Sequence, residues 1–109
     1  MKKMLINGEW CDAQDGRTIP VIDPSTGQRF DDVARGAKPE VDAAVRAARA
    51  AYEGPWQKMT ATERGRLLIK LAEKIAANEE ELCQLEAHDT GKPLSTARND
   101  IKVLARYFE

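Results

Sequence analysis

The sequence predicts a mixed α/β fold in which short antiparallel strands precede three or four amphipathic helices, an arrangement that taken by itself is α+β. Turn dipeptides separate short apolar runs in the first third of the chain, and from Lys38 onward apolar residues recur at helical spacing. The length of 109 residues suffices for one modest core. We therefore divide the chain into a strand region at 1–36 and a helical region at 37–109.

The strand region is punctuated by turn signals. Asn7-Gly8 and Asp15-Gly16 suit turns that need positive φ, and Asp23-Pro24-Ser25-Thr26-Gly27 supplies a turn that starts at proline and ends in glycine. Apolar runs at 4–6, 19–22 and 30–34 lie between these signals. The pattern predicts three or four short strands between Met4 and Ala34.

Two helices are predicted next. The first runs from about Pro39 to Tyr52 and stops at Gly54-Pro55, and the second begins at Thr60, whose hydroxyl and Glu63 form a capping box. The apolar side chains expected to be buried are Val41, Ala44, Val45, Ala48 and Tyr52 on the first helix, and Leu67, Leu68, Leu71, Ala72 and Ile75 on the second.

The second helix should continue to Thr90, with a bend or a new start at Asn78 and with Leu82, Cys83 and Leu85 facing a core. Gly91 is predicted to end this helix, and Pro93 cannot continue it. A last helix is expected over 95–109, and with no Gly, Pro or Asn to end it we expect it to be severed rather than finished at Glu109.

Composition excludes several classes of partner. Lys and Arg number 17 against 18 acidic residues, so the net charge of −1 favours neither nucleic acid nor an anionic membrane. No apolar stretch is long enough to span a bilayer, and no signal sequence is recognisable. Only Cys11 and Cys83 are present, which is typical of a reducing cytoplasm and supports neither a disulfide framework nor a zinc site.

Three candidate motifs favour structural interpretations. Thr90-Gly91-Lys92-Pro93 lacks the upstream glycine and the hydroxyl residue of a P-loop, and no G-x-G-x-x-G occurs. A buried structural thiol is the better interpretation of Cys83. His88 and Asp89 point about 100° apart on a helix and make no dyad. A carboxylate at Asp89 opposes the helix dipole, however, so we expect it to have a compensating cation or donor.

Five ordered blocks of sequence resemble the aldehyde dehydrogenase superfamily over essentially the whole chain. The blocks are Leu5-Ile6-Asn7-Gly8-Glu9-Trp10, Val21-Ile22-Asp23-Pro24-Ser25-Thr26-Gly27, Val41 to Val45 with Ala47 to Ala51, Trp56 with Arg64-Gly65-Arg66-Leu67-Leu68, and Leu85 to Pro93. The sequence departs from the commonest pattern at Asp23, where Asn is more usual, and we expect the turn-capping role to survive.

The resemblance implies that the chain is the opening part of the cofactor-binding domain of a longer enzyme. It also implies that the complete enzyme uses NAD or NADP and forms a homo-oligomer, a dimer or tetramer. Such an enzyme oxidises an aldehyde to a carboxylic acid through a cysteine thiohemiacetal. In the family pattern the catalytic and cofactor-binding residues lie beyond Glu109, so none is assigned here and the chain alone is predicted to be inactive.

One family site maps onto this chain. The resemblance implies that the backbone carbonyls of Val21 and Ile22 and the carboxylate of Asp89 bind Na+ or K+, with a further carbonyl from outside the chain. The site would explain a carboxylate at the unfavourable end of a helix.

Two interpretations from different functional classes remain open. The chain is either a segment of a catalytic enzyme or a non-catalytic helical interaction module that docks onto a full-length enzyme. The aldehyde and the choice between NAD and NADP are not specified by these residues.

Overall fold

The computed structural model describes residues 2–109, which form four strands followed by four helices. The strands are β1 (Met4–Ile6), β2 (Glu9–Cys11), β3 (Thr18–Ile22) and β4 (Arg29–Ala34). The helices are α1 (Lys38–Ala51), α2 (Ala61–Ala77), α3 (Glu79–Thr90) and α4 (Leu94–Arg106). The predicted order of short strands and then helices is confirmed.

The strands form two antiparallel hairpins. In the first, Met4 pairs with Cys11 and Ile6 with Glu9, and the connection is the predicted Asn7-Gly8 turn, with φ of 53° and 80°. Both residues must adopt positive φ because a two-residue turn of this kind matches the twist of the strands.

In the second hairpin β3 pairs with β4, and the register shifts between Val21 and Ile22. Val21 lies opposite Asp31, whereas Ile22 lies opposite Arg29, so β4 carries one extra residue. A bulge of this kind interrupts the regular ladder of backbone hydrogen bonds.

The chain packs as two units, one of residues 2–22 and 29–58 and one of Asp23–Gln28 with Met59–Glu109. In the first unit Glu40 is a buried charged residue near the start of α1. Its carboxylate accepts hydrogen bonds from the backbone N–H groups of Gln14 and Ala37, both at 2.8 Å. Because Ala37 has no polar side chain to cap α1, Glu40 satisfies a backbone donor at the helix start.

A π-helical turn at Tyr52–Trp56 follows α1, with Gly54 in a non-helical conformation. The predicted helix stop at Gly54-Pro55 therefore appears as this distorted turn. The predicted capping box of α2 is confirmed: the Glu63 N–H donates to the Thr60 hydroxyl at 3.2 Å, and the Thr60 N–H donates to the Glu63 carboxylate at 2.7 Å.

The core of the second unit lies among α2, α3 and α4. Cys83, Ala97 and Ile101 are its buried members, and Ile75, Leu82 and Ala87 pack against them. Cys83 is fully buried, as its place beside Leu82 predicts. Among residues 2–109, no helix has both the length and the hydropathy that crossing a bilayer would require.

Three predictions about burial are wrong. The sequence predicts the leucines of α2 to be buried, but Leu67, Leu68 and Leu71 are 39–42% exposed, and Ala72 is the buried member of that stripe. Leu85 of α3 is half exposed. The apolar stripe of α1 is likewise open, and its exposed large members are Val41, Val45 and Tyr52. The helical period is right, but burial also requires a neighbouring surface opposite each stripe.

The last helix also ends earlier than predicted. α4 stops at Arg106, and Phe108 N–H donates to the Ala105 carbonyl three residues before it, at 3.1 Å. Bonds of this spacing tighten a final turn and satisfy terminal carbonyls without a glycine.

Candidate functional site

The turn after β3 is organised by the side chain of Asp23. The Ser25 N–H and hydroxyl both donate to Asp23 Oδ1, at 2.8 and 2.5 Å. The Gly27 N–H closes the turn on the Asp23 carbonyl at 2.8 Å. The bonds from Ser25 favour the charged carboxylate and lower the pKa of Asp23, with smaller contributions from Thr26 and His88. The turn-capping role expected of Asp23 is confirmed.

The α3–α4 elbow is the second part of the site, comprising Gly91, Lys92 and Pro93 between the two helices. Gly91 has φ of 73°, and its N–H donates to the Ala87 carbonyl at 2.9 Å. This left-handed residue ends α3 as predicted. The Thr90 hydroxyl donates to the Glu86 carbonyl at 2.7 Å, which satisfies another acceptor in the last turn.

The Asp23 turn and the elbow contact each other. A Cβ atom on Gly91 would lie only 2.8 Å from Pro24 Cγ, so the proline ring occupies the space that any side chain would need. On the other side of the turn, His88 Nε2 lies 3.3 Å from Asp23 Oδ2. His88 therefore pairs with Asp23 of the turn, and the predicted absence of a His88–Asp89 dyad fits this geometry.

Lys92 lies between carboxylates of two helices. Its ammonium is 2.6 Å from Glu86 Oε1 on α3 and 2.9 Å from Asp100 Oδ2 on α4. These two hydrogen bonds raise the pKa of Lys92 above its ordinary value. The ammonium thus links the helices, a role that differs from the phosphate contact of a P-loop lysine. The sequence pattern does not predict this link, because Asp100 lies in the next helix.

The three residues predicted to bind a cation lie in different units. Val21 and Ile22 flank the register shift in β3, whereas Asp89 lies in the last turn of α3. Within residues 2–109 the exposed Asp89 carboxylate has neither a hydrogen-bond nor an ion-pair partner, so the predicted protein donor is not found there. Across the described range 2–109, no three His, Cys, Asp or Glu side chains cluster in a way suited to a metal ion. The cation site stays a prediction.

Neither thiol has the surroundings of a nucleophile. Cys83 is fully buried, and its Sγ lies 3.2 Å from the Glu80 carbonyl. Cys11 lies at the end of β2, half-buried, with its Sγ 3.7 Å from the Met4 carbonyl. The Arg98 guanidinium lies 4.0 Å from Cys83 Sγ, but full burial denies that thiol the access to substrate that a catalytic cysteine needs. These contacts suit structural cysteines.

The known proteins that this chain resembles in sequence and in structure come from one family. A family model described as "Aldehyde dehydrogenase family" matches residues 10–109. Aldehyde dehydrogenase family 2 member B4, mitochondrial, of Arabidopsis thaliana is 43% identical over 108 residues, which are 97% of this chain and 20% of that protein. The chain thus spans about a fifth of the length of this relative.

Solved structures agree in fold. The NAD+ complex of an aldehyde dehydrogenase from Bacillus cereus has a TM-score of 0.94 and 43% identity, over 98% of this chain and 22% of that one. A betaine aldehyde dehydrogenase of Staphylococcus aureus in complex with NAD+ has a TM-score of 0.94 and 33% identity, with the same coverage. Together with the family model over residues 10–109, these likenesses show that the chain belongs to the aldehyde dehydrogenase family.

Proposed function

We propose that residues 1–109 are the amino-terminal part of the nucleotide-binding domain of an NAD(P)-dependent aldehyde dehydrogenase. The complete enzyme would oxidise an aldehyde to a carboxylic acid through a cysteine thiohemiacetal, with NAD or NADP accepting the hydride. The observation that carries the proposal is the family match over residues 10–109. NAD+-bound neighbours of the same fold favour a nicotinamide cofactor.

In this proposal the chain supplies structure and no reacting group. Its two thiols pack against backbone carbonyls, and its sequence has no glycine-rich dinucleotide motif. The chain alone should therefore be inactive. Its strands and helices would contribute surfaces on which the rest of the domain packs.

We propose that the complete enzyme binds Na+ or K+ with the carbonyls of Val21 and Ile22 and the carboxylate of Asp89. The donor chemistry fits, because oxygen atoms are the ligands that hard cations prefer. The register shift between Val21 and Ile22 interrupts the regular strand pairing at the two residues whose carbonyls would bind the cation. Asp89 is exposed and has no partner among residues 2–109. A bound cation would also offset the negative end of the α3 dipole.

The partners proposed for the complete enzyme are its aldehyde substrate and further copies of itself, as a dimer or tetramer. The balanced charge supports neither nucleic acid nor membrane as a partner. Free Cys11 and Cys83 favour a reducing compartment, and we propose the cytoplasm.

A non-catalytic docking module is the second candidate function, favoured by the open apolar stripes of α1 and α2. The reading frame that follows the Glu109 codon in the source genome distinguishes the two. The enzyme proposal expects an open frame that encodes a Pro-Trp-Asn-like loop and a later Gly-Gln-x-Cys segment. A native stop codon, with this chain recovered in a complex with a separate full-length enzyme, would contradict it.

A further inference from the structure

Lys92 is the cation that joins α3 to α4 at the elbow. Its side chain is 28% exposed, and its ammonium contacts one carboxylate on each helix, Glu86 at 2.6 Å and Asp100 at 2.9 Å. A partly buried charge between two carboxylates is held more firmly than a surface ion pair, because less water screens it. The ammonium is therefore a fixed part of the elbow.

The same link bears on Asp89 through the helix. Glu86 precedes Asp89 by three residues, so the two carboxylates are neighbours on the surface of α3. Both lie near the negative end of the helix dipole, where negative side chains are unfavourable. With its ammonium on Glu86, Lys92 offsets one of these two like charges and leaves Asp89 as the carboxylate without a protein partner among residues 2–109.

The elbow restricts the backbone around Asp89 as well. Gly91 ends the helix two residues later, and Pro24 fills the space beside it. Lys92 follows directly, and its two ion pairs fix the chain between the end of α3 and the start of α4. Removing the ammonium would free the elbow on the α4 side and leave Glu86 and Asp100 as an uncompensated pair of carboxylates.

We propose that Lys92 is a positioning residue for the monovalent cation: by bridging Glu86 and Asp100 it holds the end of α3 so that Asp89 alone presents its carboxylate as a ligand. This inference rests on the cation site proposed above. Supporting groups around metal ligands typically change metal affinity by about 10–100-fold when they are removed.

The experiment measures the thermal midpoint of the complete enzyme against KCl concentration, with choline chloride holding the ionic strength constant. The variants are Asp89→Asn, Lys92→Met and Lys92→Arg. The matched control is Lys102→Met, which removes a different ammonium that faces α3. Lys102 lies on α4, and its ammonium is 3.9 Å from Glu79 at the start of α3, away from the elbow. We expect Lys92→Met to raise the half-effective K+ concentration about tenfold. Lys92→Arg should bring this concentration most of the way back to the wild-type value, and Lys102→Met should leave it at that value.

The outcomes separate the two proposals. If Asp89→Asn weakens the K+ response but Lys92→Met does not, the positioning role is overturned while the cation site stands. If the wild-type midpoint does not respond to K+, or if Asp89→Asn responds as the wild type does, both proposals are overturned. A general loss of stability in Lys92→Met would lower its midpoint at every K+ concentration and would not imitate a shifted half-effective concentration.

Discussion

At the scale of single residues, Gly91 is constrained in two ways that can be separated. Its φ of 73° disfavours any side chain by about 1–2 kcal/mol, and a Cβ would lie 2.8 Å from Pro24 Cγ. We predict that Gly91→Ala increases amide hydrogen exchange at the end of α3, by local destabilisation of more than about 1 kcal/mol. Exchange followed by mass spectrometry measures it.

Gly27→Ala is the matched control, because Gly27 has φ of 69° but open space where its Cβ would lie. It should show the conformational penalty without the contact. Pro24→Ala should relieve part of the Gly91→Ala defect. Equal destabilisation by the two alanine substitutions would mean that the proline contact contributes nothing.

Glu40 makes the stability of the first unit depend on pH. Two backbone N–H groups, from Gln14 and Ala37, hydrogen-bond its charged form and lower its pKa below the ordinary 4.5. A carboxyl with a lowered folded-state pKa contributes stability that is present above its unfolded pKa and is lost as pH falls through the folded value. We predict acid-dependent loss of α1 that begins below about pH 4.5.

Circular dichroism during acid titration measures this loss. Glu40→Gln should be less helical at neutral pH and should lose less helix on acidification than the wild type. Identical acid profiles for the two proteins would refute the assignment.

At the scale of elements, the capping box is the best-determined feature of α2. Thr60→Ala removes the hydroxyl that accepts from the Glu63 N–H, and N-cap losses of this type cost about 1 kcal/mol. We predict faster amide exchange in the first turn of α2. Thr62→Ala changes an exposed threonine in the same turn and should have little effect. Comparable exchange in both variants would contradict the capping role.

The elements differ in how far the sequence predicts them, for physical reasons. Thr60 and Glu63 are three residues apart, so their pairing is determined by local helix geometry. The contact between Glu40 and Gln14 spans 26 residues, and only the packed unit brings the two together. The exposure of Leu67 has the same origin: the period of α2 is local, but burial depends on a neighbouring surface. The predicted cation ligands lie in two units, which sequence periodicity does not relate.

At the scale of the whole molecule, the open apolar stripes predict association. Leu71 of α2 and Val45 of α1 are 41% and 55% exposed, and full burial of such a side chain is worth about 1.5–3 kcal/mol. We predict that the purified chain associates with itself or with a complementary fragment. Light scattering after size exclusion should report a mass above 12.1 kDa.

Leu71→Gln provides the corresponding variant, since it makes an exposed position of α2 polar. It should reduce association while helicity is retained. A wild-type chain that stays monomeric at high concentration and binds no hydrophobic dye would contradict this prediction.

Aldehyde-dependent formation of NADH or NADPH, measured by absorbance for the isolated chain and for the complete enzyme, tests most directly whether residues 1–109 are an inactive segment of an aldehyde dehydrogenase. We predict turnover by the complete enzyme and none by residues 1–109, because the contacts of Cys11 and Cys83 suit structural thiols and the sequence has no dinucleotide motif. NADH or NADPH formation by a sample that mass spectrometry shows to contain only this chain would contradict it.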